Sequence, residues 1–119
     1  MPLDNVEPEI LEFVDQYIEQ FACWDVFAHF HENPDIEKCS SEIAIDVGRR
    51  VTAIEPVLGR FIEQGVLSND IEESEEPLYR YTAPAGVRHQ MDAFLAATRD
   101  RTTRLAIVSK ILQKEARRL

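Results

Sequence analysis

The feature that most constrains the fold is a pair of short helical segments in the middle of the chain, separated by a glycine. Residues 42–47 are predicted to form the first helix, which ends at Gly48. Residues 51–64 are predicted to form the second, which ends before Gly65, because apolar side chains recur there at helical spacing: Ile54, Val57, Leu58, Phe61 and Ile62. Two short helices joined by about three residues that include a glycine form the helix-turn-helix pattern.

Two details of these helices are less regular. Ser40 or Ser41 is expected to cap the first helix, since a serine hydroxyl accepts a hydrogen bond from a free N–H group of the first turn. Pro56 interrupts the second helix, because proline removes one backbone hydrogen bond and is accommodated readily only in a first turn. A start nearer Ala53 is therefore an alternative to the start at Val51.

A β-hairpin is predicted after the second helix. Residues 66–67 begin a short strand, the polar segment 70–77 follows, and the side chains of residues 78–81 alternate as in a returning strand. We call this hairpin the wing, and the helix-turn-helix and wing together occupy residues 41–83. The short segment over residues 36–39 is expected to form an edge strand.

Both ends of the chain are predicted to be helical. Residues 84–119 are predicted to form a C-terminal helix with a kink around residues 98–103. Over residues 7–31 a seam of apolar residues recurs in steps of four and three, which indicates one long amphipathic helix or two helices broken near Phe21 or Ala22. The residues of this seam are Ile10, Val14, Tyr17, Phe21, Trp24 and Ala28.

Size and composition limit the number of cores. A chain of 119 residues, of which 45% are hydrophobic, can bury one modest core. We therefore expect a single domain over residues 1–119, mainly α with a small β-hairpin wing and long N- and C-terminal helices. No stretch approaches the roughly 18 apolar residues needed to cross a bilayer, and no signal core begins the chain, so a cytoplasmic location is expected. Cys23 and Cys39 are expected to be reduced.

The charge is divided unevenly along the chain. The net charge of −9 opposes general binding to nucleic acid, because Lys and Arg supply most of the non-specific affinity for phosphates. Residues 1–83 hold five basic and nineteen acidic residues, whereas residues 84–119 hold eight basic and three acidic residues. The basic tail is expected to meet something acidic, on its own chain or on a second subunit, or else to form a solvated helix face.

The sequence of the two short helices and the wing is similar to that of a known family. The similar segments are residues 41–44, 47–48 and 65–67, and the run 78–86, in which a wing strand is followed by threonine, proline and glycine. Ala83 is an extra residue in that run. These segments resemble the winged helix-turn-helix core of MarR-type and PadR-type bacterial regulators.

The resemblance implies a function and a set of site residues. Such regulators are dimers whose recognition helix enters the major groove while the wing touches a phosphate backbone. A winged-helix transcriptional regulator that binds duplex DNA as a homodimer is therefore implied. By position, the DNA-binding residues would be Arg49, Arg50, Thr52 and Ala53 at the start of the recognition helix and Arg80 on the wing. Arginine can grip guanine or phosphate through two hydrogen bonds, although two adjacent arginines can equally complete an ordinary polar turn.

Several acidic residues depart from this pattern. Glu55 lies on the expected recognition helix, and the wing carries carboxylates where such regulators usually present cations: Asp70, Glu72, Glu73, Glu75 and Glu76. Carboxylates repel phosphates. The alternative function is therefore a protein–protein adaptor with the same fold, whose acidic face docks a basic protein and does not bind DNA.

The sequence offers no catalytic motif. It contains no glycine-rich phosphate loop and no nucleophile elbow, so we expect no enzymatic activity. Asp25 and His29 have a spacing that suits a shared metal, but two ligands do not make a site, and neither a metal nor a cofactor is expected.

A homodimer is predicted from the apolar residues of the terminal helices. The seam over residues 10–28 and the apolar stripe over residues 91–112 are too long for one small core, so we expect them to meet across a two-fold axis. Trp24, Phe27 and Phe30 form an aromatic cluster that lines a small-molecule effector pocket beside this seam or, more often for such clusters, belongs to the core.

Overall fold

The computed structural model describes residues 6–70 and 76–117, and this part of the chain is mainly helical with a small antiparallel sheet. In chain order the elements are α1 (Pro8–Tyr17), α2 (Phe21–Glu32), β1 (Glu37–Lys38), α3 (Ser40–Val47), α4 (Val51–Glu63), β2 (Leu67–Asp70), β3 (Leu78–Tyr81), α5 (Ala85–Ala97) and α6 (Arg101–Arg117). They belong to two compact units. Residues 22–87 form the central unit, and residues 1–21 and 88–119 contribute to the terminal unit.

The two short helices of the sequence pattern are confirmed as α3 and α4. Gly48 ends α3 with a φ of 70°, in the left-handed region that glycine adopts without strain. The capping residue is Cys39, so the expectation of Ser40 or Ser41 is wrong. The backbone N–H of Cys39 donates to Oε1 of Glu42 at 3.2 Å, so the third helical residue accepts from the capping residue as in a capping box.

Pro56 lies inside α4 and does not set its start. The helix begins at Val51, as the apolar spacing predicts, with Arg50 as its cap, and the alternative start near Ala53 is wrong. Pro56 has no N–H group to donate to the carbonyl oxygen of Thr52, one turn earlier. The helix tolerates this loss because its other face is fully anchored in the core by Ile54, Val57, Leu58 and Phe61.

The predicted hairpin and edge strand are also confirmed. β2 and β3 pair antiparallel with Leu67 opposite Tyr81, and β1 adds to the other side of β3, giving the order β1-β3-β2. Three of the acidic wing residues, Glu72, Glu73 and Glu75, lie outside the described residues.

Aromatic side chains form the core of the central unit. Phe27 and Phe30 are fully buried, and the ring centroid of Phe27 lies 5.3 Å from that of Phe61 and 6.2 Å from that of Tyr81. Two of the three residues of the predicted aromatic cluster therefore belong to the core, and Trp24 is half-buried.

The terminal helices are shorter than the sequence predicts. The region over residues 7–31 forms two helices, separated at residues 18–20, slightly before the predicted break. The region after residue 84 also forms two helices: α5 ends at Ala97, and Asp100 caps α6. Its carboxylate accepts hydrogen bonds from the backbone N–H and the hydroxyl of Thr103, and these bonds hold the pKa of Asp100 below its ordinary value.

The terminal unit joins the acidic start of the chain to its basic end. Phe13 packs on Phe94 with a centroid separation of 5.4 Å. Lys110 lies 3.1 Å from a carboxylate oxygen of Asp15, and Lys114 lies 3.2 Å from one of Glu19. Part of the basic tail therefore meets its acidic partner within the same chain. None of the described helices is long and apolar enough to span a membrane.

Candidate nucleic-acid interface

The N-terminal end of α4 presents three of the predicted site residues to solvent. Arg50 has an extended backbone conformation as the capping residue, and Thr52 and Ala53 are exposed in the first turn. Arg50 forms no side-chain hydrogen bond or ion pair with the described residues. The first-turn N–H groups of a helix and a nearby cation both favour an anion at this end.

Arg49 lies beside this end but is held by a carboxylate. Its Nε donates to Oδ2 of Asp25 on α2 at 2.6 Å, and the two side chains are 36% and 42% exposed. The bond is charge-assisted and short, so Arg49 offers little uncompensated charge. A phosphate that approaches Arg49 therefore meets the negative charge of Asp25 beside it.

Arg80 is compensated in the same way. It stands directly opposite Glu37 in the sheet, and its guanidinium lies 3.6 Å from the Glu37 carboxylate. Asp35 also lines the open cleft of about 380 Å³ beside Arg80. The predicted wing cation therefore lies between Glu37 on β1 and Ser68 on β2, and its charge is offset by Glu37.

A third compensated cation was missed by the sequence analysis. Nζ of Lys38 donates to Oδ2 of Asp46 at 2.6 Å, and Nε2 of His29 lies 3.1 Å from the same oxygen. The hydrogen bond from Lys38 lowers the pKa of Asp46, and the same bond raises the pKa of Lys38. No spacing pattern signals this contact, because it joins an edge strand to the middle of α3.

The exposed side of α3 and α4 is otherwise mainly neutral or acidic, with Arg60 half-buried on α4. Glu55 and Glu63 are exposed on α4. Ile45 on α3 is 80% exposed, an unusual position for a large aliphatic side chain that the sequence analysis did not single out. Arg50 is therefore the exposed cation of this surface that has no carboxylate partner among the described residues.

The residues with metal-type spacing are engaged elsewhere. Asp25 binds Arg49, whereas His29 contacts Asp46, so the two side chains have different partners. Within residues 6–70 and 76–117, no group of three or more His, Cys, Asp or Glu residues could hold a metal ion.

Comparison with known proteins adds no assignment. Neither the protein-family models nor the curated proteins contain a match to this chain. The positions of the charged residues in the candidate interface are therefore the basis for a functional assignment. It consists of one uncompensated arginine at an exposed helix end and three cations that are each held by a carboxylate.

Proposed function

We propose that the central unit is a winged helix-turn-helix module and that the protein is a transcriptional regulator that binds duplex DNA as a homodimer. The order of its elements supports this proposal: two helices joined by a short turn precede a hairpin, and a separate strand completes the sheet. In helix-turn-helix proteins the second helix lies in the major groove and its N-terminal residues contact base edges. In this chain that helix is α4.

The observation that carries the proposal is the exposed N-terminal end of α4 with Arg50 uncompensated. Arg50 can bind the O6 and N7 atoms of guanine, or a phosphate, through two parallel hydrogen bonds. Thr52 can donate from its hydroxyl, and Ala53 can contact a thymine methyl group. The proposed contacts of this helix thus come from its first turn.

Two arginines that are paired with carboxylates, Arg49 and Arg80, are expected to contribute less to DNA affinity than Arg50 does. An exposed ion pair contributes only about 0 to 1 kcal/mol to stability, so exchanging a carboxylate for a phosphate has a small cost. Arg49 and Arg80 can therefore turn to DNA phosphates when a duplex is close, but each gives less affinity than a cation without a partner.

Replacing Arg50 tests the proposal. Arg50→Ala should weaken binding to a duplex from the protein's own promoter by about 1–3 kcal/mol, and the melting temperature should stay unchanged because the side chain is exposed. Fluorescence anisotropy at about 50 mM salt measures the affinity, since low salt favours phosphate contacts. Arg99→Ala, an exposed arginine of the terminal unit, is the matched control. Equal losses in the two variants, or no duplex binding by the wild type, would contradict the proposal.

A second candidate function is supported by the ion pairs. Lys38, Arg49 and Arg80 are each bound to a carboxylate, and the central unit holds five basic and thirteen acidic residues. This charge suits a basic protein surface better than a phosphate backbone. Under this adaptor function, Glu55→Gln with Glu63→Gln should weaken binding of a polylysine probe, and Arg50→Ala should leave it unchanged.

A further inference from the structure

The outer face of α6 carries two exposed leucines. Leu105 is 58% exposed and Leu112 is 54% exposed, and they are the two large apolar side chains left exposed in the described part of the terminal unit. Their spacing of seven residues places them on the same side of the helix, about 10 Å apart. We call this pair the leucine ridge. Two aligned leucines in water favour contact with another apolar surface.

The ridge is basic at its N-terminal end. Arg101 lies one turn before Leu105 on the same side of α6, and Arg104 flanks the ridge. Neither arginine side chain has an ion pair with the described residues. Lys110 and Lys114, on the opposite side, are already paired within the chain. The ridge therefore combines apolar surface with uncompensated positive charge.

A groove between α1 and α5 has the complementary character. It consists of two adjoining clefts of about 450 and 320 Å³, which share Ile10 and Ala93. The floor is apolar, and it stays open because α5 contributes small alanines. Carboxylates line the rim of this α1–α5 groove: Glu7, Glu9 and Asp100.

We propose that the leucine ridge of one copy docks in the α1–α5 groove of a second copy. Burial of the leucines against the apolar floor drives the contact, and the arginines of the ridge meet the carboxylates of the rim. A parallel packing of ridge against ridge would instead bring the arginines of both copies together. Reciprocal contacts about a two-fold axis give a closed dimer.

The size of the interface also requires two contacts. A stable interface buries roughly 1,200–2,000 Å² in total, more than two leucines in one groove supply. A two-fold axis doubles the ridge-in-groove contact and closes the assembly. This inference rests on the homodimer part of the proposed function, and it does not depend on duplex binding.

Leucine variants test the apolar part of the contact. Wild-type protein at tens of micromolar should give the dimer mass by light scattering, and Leu105→Glu with Leu112→Glu should give the monomer mass with unchanged circular dichroism. Ile45→Glu, a change at an exposed apolar residue of the central unit, is the matched control and should remain dimeric. A monomeric wild type would overturn both this inference and the homodimer, while duplex binding is measured separately.

Charge reversal tests which surfaces meet. Glu7→Lys with Glu9→Lys makes both surfaces basic, and Arg101→Glu with Arg104→Glu makes both acidic, so each variant alone should self-associate at least tenfold more weakly. Mixed together they should form a heterodimer as tight as the wild type, because both of its ridge-in-groove contacts again join opposite charges. Wild-type self-association of the Glu7/Glu9 variant, or no recovery on mixing, would overturn the docking and leave the homodimer intact.

Discussion

At the residue scale, single carboxylates decide how much positive charge the central unit presents. Arg49 and Asp25 form a short charge-assisted bond on the surface. Water and salt screen such a pair, so its contribution to stability is small. The main effect of the pair is on binding, because the Asp25 carboxylate competes with every phosphate that approaches Arg49.

Removing this competitor should strengthen DNA binding. Asp25→Asn leaves Arg49 without an ionised partner, and we expect the affinity for a cognate duplex to rise about two- to fivefold, the equivalent of up to about 1 kcal/mol. Glu12→Gln, on the exposed side of α1, changes the net charge equally and should have a smaller effect. If the two variants bind alike in an anisotropy titration, only overall charge matters and Asp25 does not restrain Arg49.

Asp46 gives a prediction about pH. Its pKa is lowered in the folded protein, chiefly by the hydrogen bond from Lys38, so its ionised form stabilises the fold. This stabilisation is complete above the pKa of an unfolded aspartate, about 4, and is lost as the pH falls through the lower folded value. The difference in melting temperature between wild type and Asp46→Asn should therefore be present at pH 7 and shrink as the pH falls below about 4.

The control for this prediction removes the cause of the shift. In a Lys38→Met background, Asp46→Asn should change the melting temperature less at neutral pH, because the largest contribution to the lowered pKa is gone. A difference that stays constant from neutral to acidic pH would show that the carboxylate does not act through its charge.

At the element scale, α4 combines a well-anchored apolar face with an irregular exposed face. Pro56 and Gly59 both lie on the exposed side, and both are poor helix formers. A Cβ atom added at Gly59 would meet no atom within 4 Å. The stability of α4 therefore comes from packing more than from local preference.

Replacing Pro56 should stabilise the protein. Pro56→Ala restores a backbone N–H that can donate to the Thr52 carbonyl, and we expect about 1–3 kcal/mol of added stability. Gly59→Ala, on the same face, should add about 1 kcal/mol or less through helix propensity alone. Thermal unfolding measures both. A smaller gain from Pro56→Ala than from Gly59→Ala would mean that the proline costs the helix little.

The elements that could be predicted from the sequence are those with a local signal. Apolar spacing and two glycines located α3 and α4, and alternation located β3. The Cys39 cap could not be predicted, because the Glu42 carboxylate accepts the hydrogen bond and any residue except proline can provide the backbone N–H that donates it. The partners of Arg49 and Arg80 could not be predicted either, since each lies in another element that only the folded chain brings close.

The apolar seams show the same limit. The sequence does not show which residues of the N-terminal seam and the C-terminal stripe are buried by other parts of the same chain. Ile10, Val14 and Tyr17 are buried within the chain, and so are Met91 and Phe94, so these parts of the two stripes need no partner. The large apolar residues that stay exposed on the described terminal helices are those of the leucine ridge.

At the scale of the whole molecule, the acidic charge should limit binding to non-specific DNA. Glu72, Glu73, Glu75 and Glu76 adjoin one another in the wing sequence, and a phosphate within about 8 Å is repelled at physiological salt. Replacing these four with Gln should raise the affinity for random duplex, and the gain should shrink as salt rises.

Pull-down from lysate distinguishes the two proposed functions in the same variant. If the wing docks a basic protein, the variant with four Gln residues should no longer capture a partner that the wild type captures, and its affinity for duplex DNA should stay low. If the variant is unchanged in both assays, these carboxylates serve only to keep the protein in solution.

The contact between α1 and α6 in the terminal unit can form only late in synthesis of the chain. Nζ of Lys114 donates to the carbonyl oxygen of Val14, a hundred residues earlier, so α1 has no α6 to pack against until almost all of the chain described here has left the ribosome. At roughly 5–20 residues per second that delay is about 5–20 s. The central unit is contiguous and can fold during this time. Meanwhile the apolar face of α1 is open to chaperones and proteases, so ribosome stalling within α6 should leave a product that is degraded from its first helix.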